Sequence, residues 1–388
     1  MNDLWTDIGY YSLNKHGEQL CGDHVDVANG EDGSRIAVLA DGMGSGVRAS
    51  ILSTLTAKII STMMAKGLAL DECVKTIAAT LPAEKSGIAY STFTILHIEE
   101  NERARIIQYD NPHVIFLHNG KHVDYTESIL NIEGKQIYFS QVELRCGDVL
   151  LAMSDGVVGA SDNNIMNPDW QRGNVIDFME ALYHPDYSAK DLCTLLLDQC
   201  DNLYGGKPGD DVTACVVRIR KREQVNIVFG PPSRKADDRR VMTLCFSKAG
   251  RHIICGGTTA KIAAEYLNKP VKLEYESPEE GIPPISHIEG VDLVTEGVIT
   301  LTRVLEYADN YVEDNRNYFK WGNKHDGASI LARTLFETAT DINLFVGRAV
   351  NEAQQISDGY SFGNKMHLVE RLSAQLQRMG KNVKVSYF

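Results

Sequence analysis

Four short acidic motifs carry the chemistry of this sequence. They are Gly22-Asp23-His24, Ala40-Asp41-Gly42-Met43-Gly44, Ser154-Asp155-Gly156 and Gly209-Asp210-Asp211-Val212-Thr213. Asp41, Asp155 and Asp210 each stand at the edge of an apolar stretch that reads as a strand. Taken singly, an Asp-Gly after a strand is a tight turn, because glycine accepts positive φ. Asp210-Asp211 alone reads equally as a loop or a helix cap. Taken together the motifs suggest more. Strand ends in a two-sheet fold bring several carboxylates to one rim, where they raise each other's pKa unless a cation neutralises them. Oxygen-only ligation with waters suits Mg²⁺ or Mn²⁺. Glycine after Asp41 lets a backbone carbonyl approach an ion closely. Two such ions sharing a water lower its pKa and give a hydroxide for in-line attack at phosphorus.

These residues need strands and helices to place them. Residues 36–40 form a short β-branched run that predicts a buried strand. From Val47 the period changes: Val47, Ile51, Leu55, Ile59 and Met63 lie four apart and predict a helix with that stripe buried. Gly67 suits its C-cap. A second helix is expected over 71–80, stopping before Pro82. Strands are expected over 91–98, 104–109, 114–117 and 147–153, with a hairpin turn at Asn119-Gly120. One long helical insert is expected over about 175–201, then a last strand over 211–217. The basic run 218–224 reads as a solvated linker. It divides the chain into a domain over 1–220 and a smaller one over 225–388.

Composition narrows the class. The chain has 388 residues, 43 % hydrophobic and 23 % charged, as in an ordinary folded protein. Its 39 Lys and Arg against 52 Asp and Glu leave a net charge of −13, which disfavours general nucleic-acid binding. No apolar run is long enough for a spanning helix, and the N-terminus has no secretory pattern, so no membrane role and a cytoplasmic location are expected. None of the eight cysteines forms a Cys-x-x-Cys pair. Buried, reduced thiols are expected.

The order and spacing of the acidic motifs resemble the metal-dependent PP2C-type (PPM) serine/threonine protein phosphatases, in their bacterial sporulation stage II protein E-like branch. The resemblance covers about residues 5–220. Its most specific piece is Leu39-Ala40-Asp41-Gly42-Met43-Gly44-Ser45-Gly46-Val47-Arg48-Ala49-Ser50, with Met153-Ser154-Asp155-Gly156-Val157 and Gly209-Asp210-Asp211-Val212-Thr213 following in order. The resemblance implies an α+β fold, an α-β-β-α layered sandwich of two antiparallel sheets flanked by helices, with two Mn²⁺ or Mg²⁺ ions in a cleft at one end. It implies Asp41 as the carboxylate bridging both ions, Gly42 as the carbonyl donor, and Asp155 and Asp210 as further ligands of one ion. Asp23 matches the acid that positions metal-bound water, so Asp41 and Asp23 are the expected catalytic residues. Asp211 follows the last ligand, and the Asp-Asp pair leaves a one-residue ambiguity between them. The phosphate-gripping arginine of many eukaryotic members has no counterpart that can be placed, and the acid before their water-positioning Asp is Gly22 here. Lys15 is the available cation. His24 reads either as a general acid or as a plain strand histidine. The helices over 47–80 match elements thought to switch activity in this branch, or are simply packed core.

The C-terminal part alternates strand and helix and reads as an α/β domain of βα units. Gly256-Gly257-Thr258-Thr259 follows a strand and opens a helix, a place suited to a small anionic ligand, though a capped turn explains it as well. Glu296 and Arg348 end the next candidate strands at the same kind of junction, where parallel sheets bind ligands. The expected function is hydrolysis of phosphoserine or phosphothreonine on a protein substrate, regulated through a C-terminal domain that senses a ligand, binds a partner or forms a homodimer. Two alternatives stand beside it: a regulatory binding protein with a weakly active phosphatase fold, and a hydrolase of small phosphoesters.

Overall fold

Strand residues that alternate between two apolar layers build the first half of the molecule. In the strand Arg35–Gly42, Ile36, Val38 and Ala40 pack against helices, while Ala37 and Leu39 pack against a second sheet. A strand buried on both faces has this period of two with no polar side. In the computed structural model residues 3–80, 83–84, 87–88, 91–160, 170–273, 281–313, 318–349 and 362–388 are described. The chain divides into two compact units, Met1–Lys221 and Arg222–Phe388.

Among the described residues the first unit holds two large antiparallel sheets and a small pairing of Ala83–Glu84 with Gly87–Ile88. One has six strands in the order Ser128–Ile132, Lys135–Glu143, Arg103–Tyr109, Ser91–Glu99, Arg35–Gly42, Asp23–Asn29. The other has five, ordered Leu4–Leu13, Val212–Lys221, Asp148–Met153, Ile115–His118, Lys121–His122. Their facing sides share one core, with Leu39, Leu96 and Ile106 meeting Leu150, Cys215 and Val217. Helices Gly46–Ala65 and Leu70–Thr80 cover the six-stranded sheet through Leu52, Ala57, Ile60 and Val74. Helices Arg172–Leu182 and Ala189–Leu203 cover the five-stranded sheet through Met179, Leu192, Leu196 and Cys200. The layers are therefore helix, sheet, sheet, helix, the α+β sandwich expected.

Three sequence expectations change. The stripe Val47, Ile51, Leu55 of the first helix faces solvent, at 63 %, 54 % and 38 % exposure. Its buried face is Ala49, Leu52, Ser53, Thr56, Ala57, Ile60 and Ser61. Small residues let the helix lie close on the sheet, and that close fit decides which side goes in. The single insert expected over 175–201 is two helices, broken where Tyr183 to Tyr187 cross between them and Ser188 caps the second. The basic run 218–224 is no solvated linker: 218–221 continue the strand Val212–Lys221, and Arg218 is 3 % exposed over the Tyr183 ring. Asn119 and Gly120 both take positive φ in a two-residue turn, as the hairpin requires.

In the second unit five parallel strands run in the order Leu293–Thr295, Arg251–Cys255, Gln224–Phe229, Asp341–Val346, Asn382–Tyr387. Two short antiparallel strands, Ser286–His287 and Lys272–Leu273, extend one edge. Helices Val298–Glu313, Gly327–Arg333 and Phe362–Arg378 cover one face through Leu301, Leu331 and Leu372. Asp238–Phe246 and Gly257–Leu267 cover the other through Met242 and Ala263. All eight cysteines are free and six are buried. Among the described residues no helix is long and apolar enough to cross a membrane.

Candidate functional site

The acidic motifs meet at one end of the sandwich because of strand phase. Asp23 shares its phase with Val25, and Asp41 with Leu39 and Ala37, so both carboxylates continue the side chains that fill the space between the sheets. They are direct cross-strand partners. From the other sheet, Thr213 lies in phase with Cys215 and Val217, and its amide bonds Ser154 Oγ at 2.9 Å. That bond ties the turn carrying Asp155 to the strand following Asp211. Asp155 opens a single helical turn, Asp155–Val158, directly after the strand Asp148–Met153.

Two glycines make this convergence sterically possible. A Cβ on Gly156 would stand 2.1 Å from the Asp211 carbonyl oxygen, and a Cβ on Gly42 would stand 2.1 Å from that of Ala49. Gly42 therefore lets the first helix start against the strand that bears Asp41. The Asp41 carbonyl itself accepts a bond from Ser91 Oγ at 2.7 Å.

The two members of the Asp210-Asp211 pair point apart. Asp210 lines an open cleft of about 500 Å³ with Asp155, Gly156, Val158, Gly159, Tyr204 and Gly209. Asp211 is 4 % exposed, and its Oδ1 accepts the Lys15 amide at 3.0 Å. Lys15 Nζ reaches Asp210 Oδ1 at 3.7 Å, so the one cation singled out from sequence stands beside the carboxylates. His24 has the opposite strand phase, toward Asp26 and Lys58, and burial holds its pKa down. It is not brought together with the carboxylates.

Electrostatics express the crowding. Burial is the main cause that lifts Asp41 well above the usual carboxylate range, followed by Asp23, Asp155 and Asp210. Burial likewise lifts Asp23, against bonds from Ser154 and Thr213, with Asp211 and Asp155 adding to the rise. Asp155 is raised by burial and then by Asp210. Burial, then Asp23 and Asp211, push the neighbouring Cys21 thiol up to about 12, which leaves it an inert neutral group. Asp23 Oδ2 is buried with no hydrogen-bond partner. A buried orphan oxygen among mutually repelling carboxylates is what a divalent cation or its water would satisfy. The donor set is all oxygen, as Mn²⁺ and Mg²⁺ prefer. Among the described residues, however, no three acidic, His or Cys side chains converge as a finished metal cage.

The second unit separates its sequence-picked residues. Gly256, at φ +118°, ends one strand, and Gly257, Thr258 and Thr259 open the helix after it. A Cβ on Gly297 would stand 3.5 Å from Gly256 Cα, so those two loops touch. Glu296 Oε2 accepts the Ile299 amide and so caps its own helix. Arg348 lies over the Tyr387 ring of the outermost parallel strand, three strands beyond the one ending at Gly256. Sequence reading missed Lys365, a half-buried amine over the Phe229 ring at this sheet's carboxyl edge. Its helical stretch gives no signal of it, because the contact is made across the fold.

Comparison with known proteins places the first unit. Residues 31–220 match the family model described as stage II sporulation protein E (SpoIIE). The stage II sporulation protein E of Bacillus subtilis (strain 168) is 26 % identical over 190 residues, 47 % of this chain. The match spans only 22 % of that relative's length. Among solved structures, the PP2C phosphatase domain of Bacillus subtilis SpoIIE with a fragment of its regulatory domain is similar at 23 % identity and a TM-score of 0.48, covering 56 % of this chain and 64 % of that one. The RsbU and RsbW domains of a Mycobacterium tuberculosis protein are similar at 14 % identity and a TM-score of 0.48, covering 84 % and 79 %. RsbX in complex with magnesium is similar at 18 % identity and a TM-score of 0.40, covering 56 % and 97 %. Over residues 31–220 this chain is thus similar to the stage II sporulation protein E family.

Proposed function

We propose that the protein is a Mn²⁺- or Mg²⁺-dependent phosphatase of phosphoserine and phosphothreonine in proteins, working in the cytoplasm and regulated through its second unit. One observation carries the reading: Asp23 and Asp41 are direct cross-strand partners, Asp155 and Asp210 line one cleft, and burial followed by neighbouring carboxylates raises the carboxyls of Asp23, Asp41 and Asp155. Asp41, the Gly42 carbonyl, Asp155 and Asp210 would hold two ions, with Asp211 alongside. Bound there, such ions supply charge to phosphoryl oxygens and acidify the attacking water. Asp23, buried and with one free oxygen, orients that water and takes up its proton. Lys15, beside Asp210 at the cleft, attracts the substrate's phosphate charge. The cleft beside Asp155 and Asp210 receives the phosphorylated residue.

The test is hydrolysis of p-nitrophenyl phosphate and a phosphoserine peptide with Mn²⁺, with Mg²⁺ and with EDTA. Metal-dependent turnover is expected, with a fall of at least about a hundredfold in a folded Asp41→Ala variant. A folded, metal-replete protein that turns over neither substrate would overturn the reading.

A further inference from the structure

The carboxyl edge of the parallel sheet in the second unit holds groups that the carboxylate cleft does not use. Strand Arg251–Cys255 runs into Gly256, whose positive φ is open mainly to glycine. The eleven-residue helix Gly257–Leu267 starts there with no side-chain cap and no acidic residue in its first turn. Its first amides point outward and carry partial positive charge. A Cβ on Gly257 would meet nothing within 4 Å, so the space beside the loop is open.

A helix start of this kind is common; Thr259 is the independent observation. Its side chain is fully buried, yet Oγ1 has no hydrogen-bond partner. That oxygen faces the loop: a Cβ on Gly256 would stand 3.2 Å from it. A buried hydroxyl without a partner costs free energy that a ligand oxygen at the glycine loop would recover. The adjoining helix repeats the pattern. It follows Gly297, and its third residue, Thr300, is also fully buried with Oγ1 unpartnered.

A cation stands one strand away. The Gly230 amide bonds the carbonyl of Cys255, the residue before Gly256, at 3.1 Å. Lys365 Nζ sits against Gly230, 4.7 Å from the Phe229 ring centroid, and donates to the Gly347 carbonyl. Among the described residues no carboxylate pairs with it, and burial lowers its pKa to about 8. An amine desolvated without a counter-charge is stabilised by an incoming anion.

We propose that this edge binds a phosphate group, as free phosphate or as the terminal phosphate of a small phosphoester. The amides of Gly257, Thr258 and Thr259 and the Thr259 hydroxyl donate to its oxygens, and Lys365 balances its charge. Phosphate fits better than carboxylate because it offers a tetrahedron of acceptors to donors arriving from several directions. This site does not depend on the phosphatase reading of the first unit.

The experiment is calorimetric titration of the full chain in EDTA with inorganic phosphate and, separately, with glucose 6-phosphate. EDTA removes the divalent route by which the carboxylate cleft could hold phosphate, and Asp41→Ala is expected to bind as wild type does. Thr259→Val and Lys365→Met are each expected to weaken binding about tenfold or more. Thr259→Val removes a hydroxyl that has no partner, so its unliganded melting temperature is expected to equal or exceed that of wild type. Tighter binding of glucose 6-phosphate assigns a phosphoester, and equal binding assigns the phosphate alone. No heat from either probe at millimolar concentration with folded protein would overturn the proposal. Unchanged affinity in both variants would overturn it too, as would a lowered melting temperature in Thr259→Val with binding intact.

Discussion

At the scale of single residues, the site depends as much on what is missing from two side chains as on the carboxylates themselves. Gly156 lies where the Asp211 carbonyl oxygen would come within 2.1 Å of any Cβ. Neither group can yield cheaply, because one is backbone in a strand approach and the other a turn bonded through Ser154 to Thr213. Gly156→Ala is therefore expected to destabilise the protein by about 1–3 kcal/mol, the usual cost of forced overpacking. Urea denaturation reads this, and a loss under about 0.5 kcal/mol, within the range of an ordinary surface change, would contradict it. The Asp-Gly pairs were legible in the sequence as turns or as ligands. Deciding between the two needed the packing, since a turn glycine is required by φ and Gly156 is required by a neighbour.

At the scale of elements, the first helix shows how periodicity misleads. Val47, Ile51 and Leu55 recur four apart, as buried residues should. The competing face sets Leu52 and Ile60 among the small residues Ala49, Ser53, Thr56 and Ala57, and it is this face that fits the sheet. Leu52→Ala is expected to cost about 2–5 kcal/mol, as for a buried leucine. Ile51→Ala, at 54 % exposure, is expected to stay within about 0.5 kcal/mol. Chemical denaturation of the two variants separates the faces, and a reversed order would restore the sequence-based face. The basic run 218–221 misleads for a related reason. Arg218 and Arg220 look solvated by composition, yet they lie in a strand paired with Leu4–Leu13, where Arg220 meets Asp7 at 3.6 Å. An N-terminal strand pairing with one some two hundred residues later leaves no local trace in either segment.

At the scale of the molecule, each unit closes its own core. The first has two large sheets with helices outside, and the second a mainly parallel sheet with helices on both faces. Among the described residues, a division between Lys221 and Arg222 cuts no strand pair. Residues 1–221 and 222–388 expressed separately are each expected to fold with a cooperative thermal transition, because each buries enough apolar surface for a domain of its size. Circular dichroism of the two fragments checks this, and an unfolded fragment would show that one core needs the other.

The sequence by itself determined the local alphabet of this protein: which carboxylates stand next to strand ends, which glycines follow them, where strands give way to helices, and that the second part alternates strand with helix. Those features follow from side-chain period, turn chemistry and charge, all of which act within a few residues. Only the tertiary structure decided which faces go inside, that Asp210 and Asp211 point to different places, that His24 turns away from the carboxylates, and that Lys365 stands one strand from Gly256. Each of those depends on pairing register and close packing between segments far apart in the chain, where a one-residue change of phase moves a side chain to the opposite face.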